Sequence, residues 1–152
     1  MEIRIYEEGP FVLNLVYNRS LKEKIFVGNY DFCNYDINEK NLPAQELSDQ
    51  EQKLLVRLFS FNQEVFSREV IADMKRRGCG PAFLPELIDF ELEYPELCVP
   101  EVPVISLGSV YRDTFGVNSV PQFLLDKNGR NLYLDLFERR WRKGDKFLAV
   151  IL

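Results

Sequence analysis

Cys79 is the residue in this chain best placed by its neighbours to do chemistry. It begins the run Cys79-Gly80-Pro81-Ala82, where a thiol beside Gly and Pro could act as a nucleophile or redox centre. A dithiol cannot form there, because Ala82 stands where the second thiol would be. Carboxylates supply the next possibility, in the cluster Asp89, Glu91, Glu93 and Glu96. Asp89 and Glu93 are spaced i, i+4 on one helix face and point away from the apolar stripe, so they read as a solvated face rather than an acid–base pair. Asp31, Asn34, Asp36 and Asn38 are hard-cation ligand types, yet they lack the spacing and terminal Glu of a calcium loop and read as turns. The chain contains no histidine, which excludes Ser-His-Asp and Cys-His catalysis and His-ligated zinc. These residues predict no enzyme, no cofactor and no metal site.

The recognition signal is stronger. Leu132-Tyr133-Leu134-Asp135-Leu136-Phe137 alternates with the period of a half-buried strand. The pattern sends Leu132, Leu134 and Leu136 to a core and Tyr133, Asp135 and Phe137 outward. Glu138-Arg139-Arg140-Trp141-Arg142 follows at once. Aromatics beside arginines are the composition of binding hot spots. The predicted contact residues are Tyr111, Arg112, Tyr133, Asp135, Phe137, Arg139, Arg140 and Trp141, with arginine able to pair bidentately with carboxylate or phosphate. The competing reading makes Phe137 and Trp141 core caps and the arginines a solvated loop.

Charge is unevenly placed along the 152 residues. Residues 1–108 carry 11 Lys/Arg against 19 Asp/Glu, and residues 109–152 carry 8 against 5. The C-terminal third is therefore the basic end of an acidic chain whose net charge is −5. That balance argues against general nucleic-acid binding and allows steering of an anionic partner. An unknown protein or an anionic ligand is the expected partner. The three cysteines, odd in number and irregular in spacing, fit a reducing compartment. No apolar run approaches a membrane span, and the first residues are too acidic for a signal peptide. The expected location is cytoplasmic.

The expected organisation is a short N-terminal unit, residues 1–45, packed on a main domain, residues 46–152. Ile3–Tyr6 and Phe11–Tyr17 read as strands separated by a Gly9-Pro10 turn. Leu21–Val27 is ambiguous between helix and strand, residues 30–43 read as loop, and Lys53–Phe61 reads as strand. Ser67 is expected to N-cap a helix bearing Val70, Ile71 and Met74 that ends at Gly78. A second helix spans residues 84–94, with Leu84, Leu87, Ile88 and Leu92 as its buried stripe. Val104–Val110, a hairpin around Asn128-Gly129, and a buried terminal strand over Lys146–Leu152 complete an α+β pattern.

Two resemblances add to these readings. Cys79-Gly80-Pro81, with Val120-Pro121 further on, resembles a thioredoxin, although the residues before Cys79 read as helix where that fold needs a strand. Arg76-Arg77-Gly78, Pro81-Ala82, Glu86-Leu87, Tyr94-Pro95-Glu96-Leu97, Pro103–Ser109, Trp141 and Lys146–Val150 together resemble a family of small Parcubacteria-type, candidate-phylum bacterial proteins. Tyr17–Leu21, Gly28–Asp31 and Asn34–Ile37 extend that resemblance into the N-terminal part. It carries no activity over. It implies a C-type-lectin-like domain with two helices on a mostly antiparallel sheet, similar to the variable proteins of diversity-generating retroelements. The variable stretch then maps onto residues 111–145. Phe83 departs from the family pattern, where a helix-capping Thr stands, and Ile151-Leu152 replaces a basic end. No Glu-Pro-Asn or Trp-Asn-Asp signature supports calcium-dependent sugar binding. The resulting expectation is a non-enzymatic recognition protein. The alternatives are a thioredoxin-like or other lectin-fold enzyme, and a regulator that docks through the acidic N-terminal half.

Overall fold

Phe147-Leu148-Ala149-Val150-Ile151 has no polar residue to show to water, so its strand must lie inside a sheet with both faces covered. The computed structural model, which describes residues 3–16, 19–43 and 51–152, places it so. The chain runs β1 (Ile5–Val16), α1 (Leu21–Gly28), β2 (Phe32–Cys33), β3 (Glu51–Phe61), β4 (Val65–Phe66), α2 (Ser67–Arg76) and β5 (Cys79–Pro81). It continues through α3 (Leu84–Glu93), a 3-10 turn (Pro95–Leu97), β6 (Val104–Ile105), β7 (Tyr111–Arg112), β8 (Asn118–Asp126), β9 (Gly129–Leu136), β10 (Arg140–Trp141) and β11 (Lys146–Ile151). Tyr17 and the 45/46 domain boundary lie outside the described residues.

The fold is α+β. Among the described residues nine strands form one mostly antiparallel sheet, in the order β1-β3-β11-β6-β8-β9-β2, with β5 added on β11 and β7 on β8. Strand β11 pairs antiparallel with β3 along one edge, and along the other it pairs first with β6 and then with β5. Its alternation feeds two cores. Leu148 joins Leu13, Leu87, Phe90 and Phe123 under α3. Phe147 and Ala149 join Phe59, Val70, Met74 and Trp141 under α2. No helix among the described residues is long and apolar enough to cross a membrane.

Several expectations need correction. Three helices pack on the sheet rather than two, because residues 21–28 form α1 with a capping box at its start. Glu23 N donates to Ser20 Oγ at 3.1 Å, and Ser20 N donates to Glu23 Oε1 at 3.4 Å. Gly9-Pro10 is not a turn: β1 runs through it as a bulge, with Glu8 still opposite Leu58 and Phe11 opposite Val56. Residues 106–110 leave the strand, and Gly108 N donates to Ala82 O at 2.9 Å. A Cβ on Gly108 would meet the Ala82 and Pro81 carbonyls at 2.7 and 2.8 Å, so only glycine allows that approach.

The helix faces also differ from the periodicity reading. Leu92 is exposed, and Phe90 and the carboxylate-bearing Glu91 take the buried positions of α3. Asp89 is half-buried rather than solvated, while Glu93 is exposed as expected and still bonds β1. Asp89 accepts from the buried Lys24 Nζ at 2.6 Å, and Glu93 accepts from Asn14 N at 3.3 Å and Asn14 Nδ2 at 3.2 Å. Glu91 is fully buried; it accepts from Arg130 Nη2 at 2.6 Å and from Tyr30 O–H at 2.6 Å, tying the β8–β9 hairpin and the segment after α1 to α3. Ser109 Oγ accepts from Leu84 N at 2.7 Å, supplying from a distance the cap that Phe83 cannot.

Ser67 is the first residue of α2 rather than its cap, and its hydroxyl is committed elsewhere. It donates to Phe137 O at 2.6 Å and accepts from Trp141 Nε1 at 2.8 Å. The Trp141 ring meets Phe147 edge-on at 5.9 Å. A Trp141→Ala substitution is expected to cost about 3–5 kcal/mol through the cavity it leaves. Urea denaturation of both proteins measures this, and a loss well under 1 kcal/mol would contradict the packing described.

Candidate functional site

The alternation read from residues 132–137 is real, but what it faces differs from expectation. Leu132 and Leu134 pack into the first core, while Leu136 is 49 % exposed because the α3 layer does not extend over the end of β9. Phe137 packs against the second core instead of facing out, and the Arg68 guanidinium lies 5.6 Å from its ring centre. Trp141 is fully buried in that core, so it is corrected from contact residue to core residue. Tyr111 packs on the first core, on the opposite sheet face from Tyr133 and Asp135, and Arg112 lies under the Gly116 turn. The structure therefore places Tyr111 on the other surface from Tyr133 and Asp135, whereas Arg112, paired with Asn118, shares their sheet face at the far end of β8.

Tyr133, Asp135 and Arg139 do share a face. Tyr133 sits opposite Gln122 in the β8–β9 pairing, stacks 5.3 Å from Phe32, and donates to Asp126 Oδ2 at 3.4 Å. Asp135 accepts from Leu136 N at 2.8 Å and forms an ion pair with Arg139 Nη1. The Arg139 guanidinium lies 4.9 Å from the Trp141 ring centre, so Trp141 acts from beneath as a platform that orients Arg139. Arg140 turns the other way, 5.3 Å from Phe66.

Beside Arg139 opens a cleft of about 340 Å³, floored by Gln122 and Leu124 of β8 and walled by Glu101–Pro103 on one side and the β10–β11 turn on the other. That turn closes because Asp145 N donates to Arg142 O at 3.1 Å and Arg142 N donates to Asp145 Oδ2 at 2.9 Å. Gly144 takes φ +87°, which suits glycine, and its N–H reaches Phe61 O at 3.1 Å. The turn thereby presents Arg142 and Lys143 at the mouth. Neither forms an ion pair among the described residues, whereas Arg139 is paired with Asp135. Asp145 is buried, and burial pushes its carboxyl above the ordinary value despite the opposing pull of Arg139 and Arg142.

Sequence reasoning missed Gln122, Lys143, Asp145 and residues 101–103, and left Arg142 out of the contact residues although it stands in the arginine run. A polar residue within the apolar run Val120–Leu125 was a signal available for Gln122. The thiol geometry departs from the thioredoxin comparison. Cys79-Gly80-Pro81 is strand β5, paired with β11, and opens no helix. All three thiols are unpaired, and burial raises each, Cys98 to about 12. Among the described residues no three His, Cys, Asp or Glu side chains gather as a metal site would require. Fold and site together define a mixed α+β protein with a cleft on its C-terminal sheet face lined by Arg139, Arg142 and Lys143 against the carboxylates of Glu101 and Asp145. No protein-family model matches the chain, and neither a curated protein nor a solved structure matches it.

Because Asp145 titrates above its ordinary 3.8, its protonated form favours the folded state. That contribution is complete below 3.8 and is lost as pH rises through the raised folded value. Asp145→Asn stays neutral, so melting temperatures from about pH 4 to pH 7 should increasingly favour the variant over wild type. Parallel curves for the two proteins would show that Asp145 is not held this way.

Proposed function

We propose that this protein is a non-enzymatic recognition protein that binds an anionic partner, a protein or a ligand, through its arginine-bearing C-terminal face. The observation that carries this reading is the pairing state of the cations: Arg142 and Lys143 stand unpaired at the mouth of a cleft beside an Arg139 oriented by Asp135 and Trp141. Cations held by a closed turn meet an anion at lower entropic cost than cations on a mobile tail. The acidic balance of residues 1–108 supports a discrete anionic partner over nucleic acid in general. The raised Cys79 thiol favours a binder over a thiol enzyme.

The scaffold belongs to the same reading. Strands β3 and β11, the first and last of residues 51–152, pair antiparallel and enclose α2 and α3, an arrangement in keeping with a C-type-lectin-like domain. The family resemblance, and with it diversification of residues 111–145 by a retroelement, stands on the sequence segments that carry it. A cytoplasmic location rests on the three unpaired cysteines.

The test is a pull-down from cognate cell lysate with wild type and Arg142→Ala/Lys143→Ala, after circular dichroism shows both folded. Both side chains project from an exposed turn, so the double variant is expected to fold. A partner held by wild type and lost by the variant is the expected result. Equal capture by both proteins would overturn the assignment and move the search to the acidic N-terminal half.

A further inference from the structure

Gln122 is 9 % exposed, lies on the floor of the cleft, and its side-chain amide makes no hydrogen bond to any described residue. Asn131 Oδ1, not this amide, is the sealed side-chain polar atom without a partner among the described residues, so the Gln122 amide opens to the cleft, where a ligand can reach it. The floor also carries Leu124, and Pro103 lines the adjoining wall, so apolar surface lies next to that amide. None of the residues lining the cleft is aromatic, which leaves no platform for stacking a base. At about 340 Å³ the cleft stands at the small end of ligand pockets.

We infer that the cleft is a binding site for a small organic anion whose carboxylate or phosphate head pairs with Arg142 and Lys143 and whose neutral polar body hydrogen-bonds the Gln122 amide. This rests on the reading of the C-terminal face as the binding face and narrows its ligand. Arg142 and Lys143 supply charge at the mouth, while Gln122 both donates and accepts, so it reads an amide or hydroxyl on the ligand body. Arg139, already paired with Asp135, contributes a fixed wall more than a free charge. The Asp145 carboxylate is turned into the backbone of its own turn through Arg142 N.

The test follows the Gln122 side-chain amide, and the backbone amide of Gly144 in the cleft wall, by 1H–15N NMR in the full chain. The probes are N-acetylglycine, which carries a carboxylate and an amide, and glycerol 3-phosphate, which carries a phosphate and hydroxyls. A saturable shift of the Gln122 amide with either probe is expected, and which probe binds identifies the head group. Two variants are titrated in parallel. Gln122→Leu keeps the volume and removes an amide with no protein partner, so it folds; Arg142→Ala/Lys143→Ala removes the cations. Each is expected to weaken binding about tenfold. No shift with either probe overturns the inference, as does a shift of the Gly144 backbone amide that both variants retain. Loss of lysate capture in the cation variant, with no probe binding in wild type, would leave the recognition face standing and the small-molecule site refuted. Probe binding with unchanged capture would do the reverse.

Discussion

The pairing of β11 is the constraint on which the rest of the structure depends. One six-residue strand holds β3 on one edge and both β6 and β5 on the other, so the first and last parts of residues 51–152 meet in the middle of the sheet. Because successive side chains alternate, Phe147 and Leu148 commit to opposite cores, and a shift of one residue would exchange both cores at once. The turn preceding β11 is thereby fixed too. Its Gly144 N–H bonds Phe61 O, and Lys146 N donates to Pro103 O at 3.1 Å, which brings the two walls of the cleft together.

Trp141 links that core to the surface. Its ring closes the second core against Phe147, its indole N–H reaches Ser67, and its outer face carries the Arg139 guanidinium. A buried aromatic can therefore serve recognition without being touched by a partner. The contrast between Arg139 and its neighbours follows from this. Arg139 is held by a ring and a carboxylate, whereas Arg142 and Lys143 are held only through their backbone and keep their charge unspent.

The N-terminal segment is bound by polar contacts at places where sequence suggested solvent. Lys24 with Asp89, and Arg130 and Tyr30 with Glu91, join elements separated by 39 to 65 residues. Buried charge pairs add little net stability, but removing one partner strands the other in a medium that cannot solvate it. They act as register pins between α1, α3 and the β8–β9 hairpin. Gly129 belongs to the same junction. A Cβ there would fall 2.0 Å from Asp31 Oδ2, the atom that accepts Arg130 N at 2.8 Å.

The amino-acid order by itself determined the α+β class, the hairpin at Asn128-Gly129, the span of α2, the terminal buried strand and the two-sidedness of residues 132–137. Each is set by neighbours a few positions apart, through the strand and helix periods or through glycine geometry. Only the tertiary structure decided which side of those alternations is covered. Trp141 became core and Phe137 half-buried against it where Ser67, 74 residues from Trp141, bonds both segments from the start of α2. Leu92 and Leu136 became surface, with no described element covering them. Gln122 became a cleft floor because the 101–103 segment and the Arg142–Asp145 turn rise on either side of it. Periodicity specifies two faces; burial depends on what packs against them, and that is a property of contacts remote in sequence.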